Sequence, residues 1–227
     1  MLNVSAEICV SHITAWAPGL FTHADWKLWA AGKKRIESSK DVPKLEYTTP
    51  LFRRRLSQIS RMTIQVVHDE LEESNCSRNI KQVFISCRGE IVREFSISKM
   101  LLEEKSVLPA SFSLSVFNTP IALATLASGL KGGYTVLFPS KGQFRDAFSG
   151  ACAPVLSEKE EQIMVVYADE LPAAEYRRLG TENCIPLAFA AVLSSGSGTG
   201  VHLSDIGKVP QEPALFLKQI ILKDTSF

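Results

Sequence analysis

The side chains most often used in catalysis are present in this chain, but few stand at spacings that would let them act together. The four histidines, His12, His23, His68 and His202, are scattered, and no HExxH, GxSxG or GxGxxG segment occurs. Zinc-protease, hydrolase-elbow and dinucleotide chemistry therefore have no motif behind them, and each histidine reads as structural or exposed. The five cysteines, Cys9, Cys76, Cys87, Cys152 and Cys184, are odd in number and include no CxxC pair. That usage suits reduced thiols in a cytoplasm better than a disulfide framework or a zinc site. Cys152 follows Gly150–Ala151 and is the thiol with the best claim to be a nucleophile, yet it falls late in a helical stretch before Pro154. A reactive thiol needs a base, a cation or a helix N-terminus beside it. Asp169–Glu170 pairs two carboxylates at a strand exit, where solvation is the expected state. Arg53–Arg55 reads as the solvated face of a helix, with an anion or carrier-protein contact as the functional alternative. The loop Ser194–Gly200 (SSGSGTG) lacks the Lys-Ser/Thr pair of a phosphate cradle and reads as a flexible connection.

With so little site chemistry in the sequence, the elements that would position it carry the reading. A hydrophobic fraction of 45% over 227 residues predicts one domain, 1–227, with a sizeable core. A net charge of +1 selects neither nucleic acid nor an anionic membrane as partner. No apolar run reaches the roughly 18 residues of a membrane span, and Met1–Val10 lacks the pattern of a signal peptide.

The segment Ser111–Gly133 (SFSLSVFNTPIALATLASGLKGG) organises the rest. Phe112, Leu114 and Val116 alternate with serines, which predicts a strand. From Thr119 the residues Ile121–Ala127 run almost without polar relief, which predicts a helix buried nearly all round, capped by Asn118 or Thr119 and ended by Gly129. Strands are predicted at Ile8–Trp16, Gln82–Cys87, Tyr134–Phe138, Gln162–Tyr167 and Pro186–Leu193. Helices are predicted after Thr22 or Asp25, over Leu51–Glu73, from Arg88–Gly89–Glu90 through Lys105, over Gln143–Cys152 and over Ala214–Leu222. Strands alternating with helices, several strands being continuously apolar, give an α/β layered fold with a mixed sheet buried on both faces.

The order Asn118, helix Ile121–Ala127 and Gly129–Leu130–Lys131–Gly132, followed by a strand, resembles the β-ketoacyl synthases, the condensing enzymes of fatty-acid and polyketide synthesis. In that family the segment lies at the subunit interface and the next strand delivers a nucleophilic cysteine at a helix N-terminus. Counting on from Gly132, the position falls on about Lys141, where there is no thiol. ICVSHITAWAPGL, ADWKLWAAG, RRRLSQISRM, VFISCRGEI and LPASFSLSVFN, in that order, are similar to the small synthase-like chain length factors of aryl polyene clusters. The resemblance spans nearly the whole chain and implies a thiolase-like fold, the N-terminal half of a synthase. The C-terminal half, with the two histidines that assist condensation, has no room in 227 residues.

What the resemblance implies is a non-catalytic subunit that pairs with a ketosynthase, meets the acyl carrier protein through that partner and uses no cofactor. By position it places Phe112, Ser115, Phe117, Asn118 and Ile121 at the interface and Phe95, Ser98, Met100 and Leu102 on the tunnel wall. The competing classes are an acyltransferase using Cys152 or another thiol, and a self-associating or carrier-binding module.

Overall fold

The structure, a computed structural model, describes residues 7–179, 184–196 and 199–224. Six strands form one mixed sheet in the order β3-β2-β4-β5-β1-β6, where β1 is Ile8–Trp16, β2 Lys81–Ile85, β3 Tyr134–Leu137, β4 Gln162–Asp169, β5 Leu187–Ser195 and β6 Val201–Leu203. β2 runs parallel to β3 and β4, whereas β5 is antiparallel to both β4 and β1. β3 is thus an edge strand. The expected mixed α/β architecture is present, and residue alternation explains the continuously apolar strands. Val83, Ile85, Ile163, Val165, Tyr167 and Phe189 point into one core, while Phe84, Met164, Val166, Ala188 and Ala190 point into the other.

Helices α1 (His23–Ala30), α7 (Phe144–Leu156) and α8 (Pro213–Lys223) cover the first face, where Phe144, Phe148, Phe189, Phe216 and Tyr167 form an aromatic cluster with centroids 4.8 to 6.2 Å apart. Helices α3 (Gln58–Ser74) and α6 (Thr119–Ser128) cover the second. The alanines of β5 present little bulk on the α3 side. Among the described residues no helix is long and apolar enough to cross a membrane.

Three expectations are corrected. The alternating segment Ser111–Phe117 is not a strand: Pro109–Phe112 forms the short helix α5, and turns follow to α6. Pro109 presets the first helical φ. The hydroxyls of Ser113 and Ser115 then donate to the carbonyls of Ala110 (3.1 Å) and Phe112 (2.8 Å). Such local bonds offer the backbone an alternative to a ladder.

The helix expected over Leu51–Glu73 is broken into α2 (Pro50–Arg53) and α3, because Ser57 takes an extended conformation and its Oγ accepts from Ser60 N at 3.1 Å, capping α3. Finally, α6 is not buried all round. Ile121, Ala124 and Ser128 are buried, but Leu126 is 75% exposed. Gly129 does end α6, at φ +63°. In the Ser194–Gly200 loop, Ser194 and Ser195 extend β5, and Ser197 and Gly198 lie outside the described residues.

Candidate functional site

The carboxyl ends of the parallel strands β2, β3 and β4 bring together Ser86–Cys87–Arg88, Phe138–Lys141 and Asp169–Glu170. Helix α4 (Ile91–Glu104) leaves the turn after β2 and lies on the outside of the molecule, with no residue of its 14 fully buried. The turn needs Gly89, whose φ is +56° and whose missing Cβ makes room for the Phe117 ring at 2.6 Å. Phe117 in turn packs on Phe138 with centroids 4.3 Å apart, which ties the segment before α6 to the segment after β3. Asn118 stands at the N-cap position of α6 but caps nothing with its side chain. Its Nδ2 donates to the Tyr134 hydroxyl at 2.9 Å and fixes the start of α6 to the sheet edge.

Helix α4, the segment leading to α6 and the residue after β3 leave large apolar side chains exposed. Leu102 is 81% exposed, Phe138 67% and Phe112 61%, and Leu101, Leu108 and Val116 are exposed with them. Side chains of this size are left in water at a cost of order 1.5–3 kcal/mol each relative to full burial.

The residues singled out in the sequence divide accordingly. Phe112 is one of the exposed apolar side chains, and Ser115, Phe117 and Asn118 are half-buried in the same segment. Ile121 is not there: it is fully buried in the core between α6 and α3, because the face of α6 that carries Ile121 and Ala124 is the one turned to α3. On α4, Phe95 is half-buried against Tyr176, with centroids 5.2 Å apart, and Ser98 and Leu102 are exposed. Met100 faces a cavity of 390 Å³ between α3, α4 and α5, whose other apolar walls are Val42, Val92, Ile97 and Leu171. Lys141 is exposed in the turn between β3 and α7.

The carboxylates after β4 overturn the expectation of solvation. Asp169 and Glu170 are both 1% exposed. Asp169 accepts from Ser86 Oγ (2.8 Å), Tyr167 Oη (2.7 Å) and Arg88 N (3.1 Å), and its Oδ2 lies 3.5 Å from Arg88 Nη2. Burial and the Asp169 charge raise the Tyr167 hydroxyl well above its ordinary value. Glu170 joins two helix starts: Oε1 accepts from Val92 N in the first turn of α4 at 3.0 Å, and Oε2 from Ile59 N in the first turn of α3 at 3.4 Å. Glu90, also buried, accepts from Ser57 Oγ (2.7 Å) and Ser60 Oγ (2.6 Å) and pairs with Arg93 Nε at 3.2 Å. Burial, followed by the Glu90 charge, pushes Glu170 up to about 7. Glu170 is the one buried residue in the lining of the 390 Å³ cavity.

Cys152 is not poised for nucleophilic attack, whereas half-buried Cys184 accepts from Arg88 Nη1 at 3.1 Å. Cys152 is fully buried inside α7, and burial pushes it up to about 12. Cys87 is likewise pushed up to about 12 by burial and by Asp169. Among the described residues no three His, Cys, Asp or Glu side chains gather as a metal site. The arginine triplet also divides: Arg53 donates to the carbonyls of Leu45 (2.9 Å) and Thr48 (2.7 Å) and belongs to the scaffold, while Arg54 and Arg55 are exposed.

Comparison with known proteins bears on this geometry. Residues 26–215 match the family model of the β-ketoacyl synthase N-terminal domain. None of the curated proteins matches the sequence. Among solved structures, the fold is similar to one described as the ketosynthase ApeO in complex with its chain length factor ApeC from Xenorhabdus doucetiae, with TM-score 0.78, 21% identity, 96% of this chain and 92% of that chain covered. It is also similar to the ishigamide ketosynthase/chain length factor, with TM-score 0.66, 13% identity, and 82% of this chain but 62% of that chain covered. A third similar structure is a type II polyketide synthase acyl-carrier protein in complex with its ketosynthase bound to the hexaketide (AntDE:AntF), with TM-score 0.66, 15% identity, 84% of this chain and 62% of that chain. At these identities the likeness establishes the fold.

Proposed function

The chain belongs to the β-ketoacyl synthase family, and from that premise we propose that it is a non-catalytic chain length factor. In this reading it pairs with a ketosynthase in the cytoplasm and shapes the far end of the tunnel that receives the growing acyl chain. The observation that carries the proposal is the set of large apolar side chains left exposed on α4, α5 and the α5–α6 turns, with Phe117 of those turns packed on Phe138 after the sheet-edge strand β3. An edge strand offers a row of backbone donors and acceptors to another chain, and the aromatic residues around it supply anchors of the type found at interface centres.

Phe112, Ser115, Phe117 and Asn118 are assigned to that contact, with Val116 and Phe138 added and Ile121 left to the core. Lys141 occupies the place where a condensing enzyme would present its cysteine, so the acyl chain is held by the partner. Phe95, Ser98, Met100 and Leu102 of α4 form the wall that the chain meets. A side chain that blocks further extension does so through overpacking, typically 1–3 kcal/mol. The aryl polyene class of type II polyketide-like or fatty-acid-like synthesis is the pathway class this reading favours, with the acyl carrier protein delivered through the ketosynthase. Similar structures described as ketosynthase and chain length factor complexes support the pairing.

The test is co-expression with a ketosynthase from the same genome, followed by size exclusion. Co-elution is expected, and it is expected to be lost in Phe112→Asp. Separate elution of the wild-type pair sinks the subunit assignment. In the reconstituted pair, Phe95→Ala and Phe117→Ala should lengthen the products, and an unchanged length distribution counts against the tunnel wall.

A further inference from the structure

The sheet ends on β3 at one edge and, at the other, on β1 with the short strand β6 outside it. β5 pairs with β1 along its length, from Ile8 to Trp16. On the opposite side β6 covers only Ile8, Cys9 and Val10. A register shift against β5 falls between Val10 and His12 and separates the covered part of β1 from the rest. From His12 to Trp16, a span of about 17 Å, no strand among the described residues pairs with that side of β1.

This open edge lies in a cleft. Ile13, Thr14 and Ala15 line a hollow of 160 Å³, with Phe21 and Trp26 from the start of α1 on one side and Asp69 and Glu73 of α3 on the other. Consecutive side chains of a strand point to opposite faces, so what three consecutive residues share on the cleft is their backbone edge. The hollow is smaller than the roughly 300–1,000 Å³ of a pocket that takes a whole small molecule, and it suits one side chain of a longer one.

Its two walls differ in chemistry. His12 Nδ1 lies 3.0 Å from Glu70 of α3, and Thr14 Oγ1 donates to the Val66 carbonyl at 3.0 Å, so the even-numbered residues of β1 face α3. On that wall Asp69 and Glu73 stand one turn apart. Gln65 Nε2 donates to Asp69 Oδ1 at 2.7 Å, and His12 Nε2 stands 3.6 Å from Glu73 Oε2, beyond hydrogen-bond distance. His23 is the third titratable group of the lining, and among the described residues no lysine or arginine joins it. Burial raises the Asp69 carboxyl above its ordinary value, a cost that a cation beside it would offset. The α1 wall presents the Phe21 ring, 74% exposed.

We propose that the open edge of β1 is a docking site for an extended peptide segment of a partner protein, which adds as a strand beside His12–Trp16 and places a lysine or arginine at Asp69 and Glu73 with apolar neighbours against Phe21. The inference goes beyond the subunit assignment and is independent of it, because β3 stands at the opposite edge of the sheet.

Each requirement on the partner follows from one feature. Backbone bonding along a sheet edge supplies affinity, and side chains that alternate between two walls supply specificity. A carboxylate on the α3 side would meet Asp69 and Glu73, and an apolar side chain there would strip water from both and return nothing. The residues before and after the basic one point to the α1 wall. A helix satisfies its own backbone groups and would leave the β1 edge unpaired, so the segment is extended.

The experiment is fluorescence anisotropy of the whole chain, without a partner, with the labelled and capped peptide Thr-Leu-Lys-Leu-Thr. A peptide with Glu in place of Lys is expected to bind at least about tenfold more weakly, as loss of a charged hydrogen bond allows. Two further analogues carry N-methyl groups, one on the lysine amide and one on both leucine amides. Amides of a strand face alternate sides, so one analogue should lose binding by about tenfold or more and the other should bind like the parent. Asp69→Asn with Glu73→Gln removes both charges and leaves the edge in place, and it should bring the Lys and Glu peptides to within about threefold of each other. Hydrogen exchange in residues 12–16 should slow when the Lys peptide is added, with Tyr134–Leu137 unchanged.

Absence of Lys-peptide binding overturns the site. Equal affinity of the two methylated analogues, whether retained or lost, overturns strand addition. A Glu peptide that binds as tightly as the Lys peptide, or a Lys preference that survives in the double variant, overturns the role of Asp69 and Glu73. Slowed exchange at Tyr134–Leu137 in place of residues 12–16 overturns the location. Co-elution with a ketosynthase is read separately, so failure of either reading leaves the other standing.

Discussion

Replacing Glu170 by Gln separates two effects that compete at one carboxyl group. Burial, with Glu90 behind it, favours the protonated form, and the backbone N–H groups of Val92 and Ile59 favour the ionised form. Burial wins, and Glu170 rises from its ordinary 4.5 to about 7. In the interval between those values the folded protein holds a proton that the unfolded chain has released, so stability falls as pH rises through it. At about 1.4 kcal/mol for each pH unit of the interval, the wild type loses about 3 kcal/mol between pH 4.5 and 8 that the Gln variant keeps.

Other raised groups, Asp69, Glu70, Glu94 and His12, titrate alike in both proteins, so the difference between the two profiles isolates residue 170. For a protein of this size the crossover corresponds to roughly 6–12 °C in relative Tm. Thermal melts of both proteins from pH 4.5 to 8 measure it. Parallel profiles would refute the dominance of burial. A wild type that gains on the variant as pH rises would show that the N–H donors of the two helix starts prevail.

Gly89→Ala combines a positive φ with a Cβ 2.6 Å from the Phe117 ring. It should cost about 2–4 kcal/mol from backbone strain and overpacking together, read by urea unfolding, and Phe117→Ala in the same chain should recover the packing share. Removing the Ser57 hydroxyl takes away both the cap of α3 and a donor to buried Glu90. Ser57→Ala should therefore cost more than the roughly 1 kcal/mol of a simple cap, and a loss below that value would mean that Ser60 alone satisfies Glu90. Cys152, buried within α7 and pushed up to about 12, should be alkylated by iodoacetamide only at the rate of global unfolding. Rapid labelling in native buffer would restore it as a candidate nucleophile.

The central strands β2, β4 and β5 were legible in the sequence because they are buried on both faces, whereas the three-residue strand β6 was not anticipated. A run such as Gln162–Tyr167 leaves no helical or half-buried alternative once turn residues bound it. The segment Ser111–Phe117 was not legible for the opposite reason. Its alternation of serine and apolar residues satisfies the strand template, yet it is too exposed for burial to enforce a register, and the serine hydroxyls bond locally instead. The cavity was only half legible. Arg93, Ile97 and Met100 share one helical face at spacings of four and three, a signal that brings Ile97, expected only on the helix's apolar face, to the cavity beside Met100. Asp169–Glu170 followed a fully apolar strand, and the missing information was long-range. Only the fold reveals that the starts of α3 and α4, with the turn after β2, converge there and supply the N–H groups that make burial of both carboxylates tolerable.

The uneven burial of α6 and α4 follows from one physical requirement. An apolar helix buried all round needs neighbours on every side, and α6 has the sheet and α3 on one side only. Leu126 on α6 and Leu101 and Leu102 on α4 therefore stay exposed in the single chain. Helix α4, with no fully buried side chain of its own, is held at its first turn by bonds to Glu90 and Glu170 and farther along by half-buried contacts such as Phe95 on Tyr176.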